Sequence, residues 1–235
     1  MYYPFYYDPT YILVLIGVVL SMFASAKVKS TFNRYSRVGN HAGITGAMAA
    51  EQILRQAGIY DVQVQYVRGN LTDHYDPTRK VLRLSDSTYG STSVAALGVA
   101  AHECGHAIQH ATSYMPLKLR GMLVPVANFG SQISWPLILI GLLINGEMSL
   151  LLINAGILLF TAAVAFQVVT LPVEFNASSR ALNILKSSGM LYDQELAQAK
   201  KVLSAAALTY VAGAAASILQ LLRLIILTGG RRRND

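Results

Sequence analysis

The sequence predicts a predominantly α-helical protein that crosses a membrane several times and carries a small α+β domain, with an antiparallel sheet, at the membrane face. Three observations lead there. Of its 235 residues 53% are hydrophobic and only 13% are charged, well below the roughly one-quarter expected of a soluble domain. The apolar residues gather in runs at 11–26, 122–144, 150–171 and 202–227, close to the length that a hydrocarbon core of about 30 Å asks of a helix rising about 1.5 Å per residue. Between the first two runs lies a polar, mixed stretch with the composition of a folded domain.

Taken in order, residues 1–26 read as an N-terminal transmembrane anchor. Tyr2, Tyr3, Phe5, Tyr6 and Tyr7 suit a membrane interface, and Lys27, Lys29, Arg34 and Arg37 follow the apolar run, as expected on the cytoplasmic side. Because the basic residues come after the apolar stretch and none precedes it, the order is the reverse of a signal peptide. The expectation is an uncleaved anchor with its N-terminus outside.

Residues 27–120 form the polar domain. Thr45 is the expected N-cap of a helix that stops at Gly58. Residues 61–67 alternate as a strand, and Val81, Leu82 and Leu84 follow after a turn, which suggests an antiparallel pair. The intervening Leu71-Thr-Asp-His-Tyr-Asp-Pro is expected to be a loop. His74 or Tyr75 there could line a substrate cleft and donate to a transition state.

Residues 121–172 read as a transmembrane hairpin through Pro125 and Pro136, 173–201 as a helical segment, and 202–235 as a transmembrane or re-entrant helix with a basic tail. Arg223 and Arg231-Arg232-Arg233 oppose an outward-facing end for that last segment. The formal charge is +7. No basic patch interleaved with aromatics accompanies it, so nucleic acid is not an expected partner. Cys104, the only cysteine, excludes an internal disulfide and reads as a small packing residue.

The chemistry concentrates in residues 94–110, Val-Ala-Ala-Leu-Gly-Val-Ala-Ala-His-Glu-Cys-Gly-His-Ala-Ile-Gln-His. The run favours a helix although Gly98 and Gly105 weaken it. His102 and His106 fall one turn apart on one face, so both imidazoles can reach one ion, and Glu103 lies beside that face as a base for the attacking water. His and Glu inside an Ala/Val/Leu helix would be costly to bury without a partner. The pattern points to a zincin-like metalloprotease domain with Zn²⁺ as cofactor.

Two histidines leave a catalytic zinc short of a third protein ligand. A third histidine ten residues after the first is absent, since position 112 is Thr. Glu174, just beyond the hairpin at the start of an expected helix, is the expected ligand, against the blander reading of an acidic residue favoured by a helix N-terminus. His110 lies two turns from His102 and is expected near the site or at the surface. Arg180 could orient Glu174 or bind a substrate carbonyl; a snorkelling surface cation is the simpler reading.

Asn70-Leu-Thr-Asp-His-Tyr-Asp-Pro, Leu82-Arg-Leu-Ser, Val99-Ala-Ala-His-Glu-Cys-Gly-His-Ala-Ile-Gln and Leu171-Pro-Val-Glu-Phe-Asn-Ala-Ser together resemble the YugP-type neutral zinc metallopeptidases of bacterial membranes. The resemblance covers most of the chain. More distantly the chain is similar to HtpX-type membrane gluzincins, in which a Glu after a transmembrane hairpin is the third ligand, and this likeness implies Glu174. Those relatives usually carry Asp four residues after the ligand Glu; Ser178 stands there in this chain, so a role in supporting the ligands does not carry over to that position unchanged. The resemblance implies peptide-bond hydrolysis and names no substrate.

The expected function is thus a multi-pass cell-membrane zinc endopeptidase with its active site on the cytoplasmic face. A protein or peptide substrate would bind extended along the edge of the strand containing residues 81–84. Besides lipid, a membrane-protein partner or a second copy remains open. The rival is a non-catalytic membrane adaptor with a structural zinc, which would need a fourth protein ligand, His110 or His74. A transporter fits less well, because the spans carry almost no ionisable residue except Arg223.

Overall fold

The computed structural model describes residues 8–229. The aromatic residues Tyr2, Tyr3, Phe5, Tyr6 and Tyr7 and the terminal Arg231, Arg232 and Arg233 lie outside the described residues. The element order is α1 (Tyr11–Tyr35), α2 (Gly46–Gln56), β1 (Gln63–Tyr66), β2 (His74–Asp76), β3 (Val81–Leu84), α3 (Val94–Ala111), α4 (Met115–Leu143), α5 (Glu147–Ser187) and α6 (Asp193–Gly229). Four of these helices, α1, α4, α5 and α6, are long and apolar enough to cross a membrane. The described residues divide into two compact units, one of residues 8–23, 119–169 and 210–229 and one of residues 24–118 and 170–209.

In the first unit, α4 and α5 approach until backbone meets backbone. A Cβ on Gly130 would lie 2.6 Å from the Leu159 carbonyl oxygen, and one on Gly156 would lie 2.8 Å from that of Ser134. Small residues at such crossings let dispersion contacts act between spanning helices, where burial from water contributes nothing. Arg223, the charge that fits an apolar helix poorly, is neutralised here: its guanidinium donates to Asp8 Oδ2 at 2.9 Å and lies 4.1 Å from the centre of the Tyr11 ring. It is therefore no free positive charge in a topology argument.

In the second unit, the core is built from α2, α3, the sheet and the 170–209 segment. Ala49, Ala50 and Ile53 of α2 meet Ala100, Ala101 and Cys104 of α3, in a cluster that also includes Leu82, Leu84, Ala181, Leu185 and Leu203. The alanines allow the helices to lie close. As the sequence led one to expect, Thr45 caps α2 by accepting the Met48 N–H. Ala57 ends α2, and Gly58 follows with φ of 72°, the left-handed conformation that leaves a helix at least cost to glycine. Cys104 is fully buried, and burial pushes its thiol pKa well up, in keeping with a packing role. α3 starts where Ser93 accepts the Ala96 N–H at 3.1 Å.

Five expectations are corrected. The sheet is mixed, in the order β1-β3-β2: β1 runs parallel to β3, and β2 is antiparallel to β3. The expected loop thus contains a strand, His74–Asp76, which Asp73 positions by accepting the Ser85 N–H and hydroxyl at 2.7 and 2.9 Å. A tight turn ending at Lys80, φ 53°, sends β3 back between its neighbours. In consequence β3 is the central strand and has no free edge, so no peptide can add along Val81–Leu84. Finally, Glu174 does not begin a helix. α5 continues unbroken through Pro172, because a proline costs a helix one N–H and a local clash without ending it where surrounding packing holds it. Likewise α6 is one continuous helix with no re-entrant reversal among the described residues.

Candidate metal centre

The site is built where α3 crosses α5 in opposite directions within the second unit. Along α5, Val173, Ala177, Ala181 and Leu185 are fully buried at helical spacing and form the stripe facing the core. Glu174 and Ser178, one position further round, are thereby turned toward the histidine face of α3. The approach is set by two small residues: a Cβ on Gly105 would lie 2.7 Å from the Ala177 carbonyl oxygen. The glycine that lowers helix propensity is what admits the neighbouring backbone.

At the crossing, Nε2 of His102 and Nε2 of His106 lie 3.2 and 3.5 Å from the same Glu174 oxygen, Oε2. One ligand atom from each of the three residues lies within 4.8 Å of the others. Zinc bonds of about 2.0–2.1 Å at tetrahedral angles place ligand atoms roughly 3.3 Å apart, so the donor set fits that ion. Glu174 is only 2% exposed, a burial that a carboxylate tolerates when cationic or metal partners compensate it.

The other nitrogen of each ring is also committed. His106 Nδ1 donates to Gln109 Oε1 at 3.1 Å. Gln109, fully buried, donates in turn to the Val173 carbonyl at 2.8 Å and to Asn176 Oδ1 at 3.0 Å. Arg180 Nε donates to the same Asn176 oxygen at 2.8 Å, and its guanidinium sits 5.9 Å from the Tyr114 ring centre. His102 Nδ1 lies 3.1 Å from Ser178 Oγ. These contacts fix ring orientation and leave each Nε2 facing the cluster, the arrangement that supports metal ligands elsewhere.

Glu103 is 9% exposed, and among the described residues its side chain has no hydrogen-bond or ion-pair partner. His74 and Tyr75 part company. Tyr75 pairs with Leu82 across the sheet and shares its core face; its hydroxyl meets His110 Nδ1 at 2.9 Å. His74 pairs with Arg83 on the opposite face, with Nδ1 donating to the Thr72 carbonyl at 2.8 Å. His110, exposed at the far end of α3, stays outside the three-residue cluster. Sequence reasoning missed Gln109 and Asn176 as supports and left the role of Ser178 open, which the contact with His102 now fills. A glutamine three residues after a ligand in an otherwise apolar helix was the available signal for the first.

A His-His-Glu cluster supported in this way, on a chain with four apolar helices, is the arrangement expected of a membrane zinc metallopeptidase. The comparisons agree: residues 10–229 match the family described as "Putative neutral zinc metallopeptidase", and the chain belongs to that family. It is 52% identical over 223 residues to the protein named "Putative membrane protease YugP" of Bacillus subtilis (strain 168), covering 94% of this chain and 98% of that one. No solved structure matches the chain. Zinc is the metal that family and donor set support together.

Two outcomes follow from this geometry. Gly105→Ala is expected to force α3 and α5 apart and lower zinc content while far-UV circular dichroism keeps its helical signal; full zinc occupancy would show that the crossing does not set the site. For His106, burial lowers the pKa, but the hydrogen bond to Glu174 and the charges of Glu103 and Glu174 prevail and raise it above 6.5. Protons compete with zinc for that nitrogen, so affinity is expected to be complete at alkaline pH and to fall as pH drops through this raised value. A chelator competition series across pH checks the sign; affinity that stays flat through neutrality would contradict it.

Proposed function

We propose that this chain is a gluzincin-type membrane endopeptidase whose zincin-like domain works at the cytoplasmic face, with His102, His106 and Glu174 as zinc ligands and Glu103 as general base. The observation that carries the reading is Glu103 itself. A nearly buried carboxylate with no partner is costly, and this one follows the first ligand of a cluster that offers three protein donors. Three donors leave a position open, as in catalytic zinc sites, whereas a structural site would be closed by a fourth. That feature supports an enzyme over an adaptor.

Zinc held by these residues would supply a Lewis acid that polarises the scissile carbonyl and makes the attacking water more acidic. Glu103 takes the proton from that water and delivers it to the leaving amide nitrogen. Gln109 and Ser178 hold the rings of His106 and His102 so that both Nε2 atoms stay converged. Tyr75, on the core face of β2 beside α3, donates its hydroxyl to the developing oxyanion, and His110 orients that hydroxyl. His74, tied to Thr72 and Arg83, holds the strand. Arg180, with Nε committed to Asn176, keeps its terminal nitrogens for a substrate carbonyl.

The substrate lies along β2, the edge strand that carries Tyr75, since main-chain pairing there admits many sequences. The cytoplasmic placement is supported by Lys27, Lys29, Arg34 and Arg37 following the first apolar run.

Glu103→Gln is expected to lower cleavage of an unfolded protein in detergent by about 10²- to 10⁴-fold with zinc content unchanged. Wild-type cleavage in that variant would end the mechanism. Tyr75→Phe should lower kcat by about a hundredfold with KM little moved, while His74→Ala keeps most of the activity. The reverse ranking would exchange their roles.

A further inference from the structure

α4 buries one side and leaves another bare. Ala127, Gly130, Ser134, Ile138 and Gly141 are buried at helical spacing. About a third of the way round the helix, Asn128, Ser131, Gln132, Trp135 and Leu139 share an exposed face. Among the described residues the side chains of Asn128 and Gln132 make no hydrogen bond. Gln132 sits near the middle of the apolar run 122–144, roughly 15 Å from its start at about 1.5 Å per residue, where a bilayer holds no water to satisfy an amide. Pro136 adds to the demand: it has no N–H, so the Gln132 carbonyl four residues earlier loses its helical donor. A primary amide and a backbone acceptor displayed together at that depth are costly against lipid.

We propose that this face docks against the same face of a second copy of the chain, with the two Gln132 amides opposed across a two-fold axis along the membrane normal. An amide carries both a carbonyl and an NH₂, so identical stripes pair donor to acceptor when one is rotated onto the other. No ionised residue occurs between positions 121 and 144, so nothing on the face repels its own copy. A second copy always presents the matching groups at the matching depth, which a foreign helix does only by coincidence. The proposal rests on membrane insertion alone and stands apart from the proteolytic reading.

The test uses the full chain in native membranes. Cys104 is the only cysteine and is buried, so single substitutions report cleanly on new thiols. Oxidation is expected to link Asn128→Cys, Gln132→Cys, Trp135→Cys and Leu139→Cys into dimers, and to leave Phe129→Cys and Ile140→Cys, exposed on a different side, as monomers. In nanodiscs, single-molecule photobleaching of labelled wild type should show two steps. Gln132→Leu should weaken association by about three- to tenfold for each interhelical hydrogen bond lost, with zinc content unchanged as evidence of a folded chain. Equal linking at all six positions, or none, overturns the proposal. So does a one-step wild type whose Gln132→Leu variant fails only on a membrane-inserted substrate, which would give the face to a substrate helix.

Discussion

The crossing of α3 over α5 at Gly105 and Ala177 is the constraint on which the candidate site depends. A side chain at position 105 would clash with a carbonyl oxygen, well inside van der Waals contact, so the approach needs glycine, and the approach brings a carboxylate from one helix between two imidazoles of the other. Glu174 sits in mid-helix, with its side chain left to the site. Its burial raises the stakes: without the histidines, a carboxylate so far from water would be a large liability. Cluster and crossing therefore support one another.

Around the ligands the supporting groups are mostly neutral. Gln109 and Asn176 pass hydrogen bonds from the His106 ring to Arg180, and the Ser178 hydroxyl stands beside His102. Neutral acceptors orient an imidazole without adding the negative charge that would make it a stronger donor to metal. Orientation here comes from the buried Gln109 and the half-buried Asn176, whose polar atoms are shared between the two crossing helices, an arrangement that is rigid because each amide has several partners.

The sheet sets what can reach the site. β3 is flanked on both sides, so its backbone groups are spent on β1 and β2, and its side chains Leu82 and Leu84 feed the core. β2 is short and lies at the edge. Its alternation sends Tyr75 inward and His74 outward, which a reading of two adjacent aromatic donors in a presumed loop had no means of separating. The long helices carry their own economy of charge: Arg223 sits in an apolar helix because Asp8, far away in sequence, neutralises it beneath an aromatic ring.

The sequence by itself determined the helical membrane class, the caps and stops of α2, the burial of Cys104 and the convergence of His102 with His106. Each of these follows from periodicity, local backbone chemistry or spacing within one element. Glu174 was legible by elimination and family resemblance, not by any local pattern. Tertiary structure alone decided the parallel pairing of β1 with β3, the separate fates of His74 and Tyr75, the continuity of α5 through Pro172 and the value of Gly105. Strand order, a helix surviving its proline and a glycine at a crossing all depend on which distant backbone lies alongside, and no local pattern encodes that neighbour.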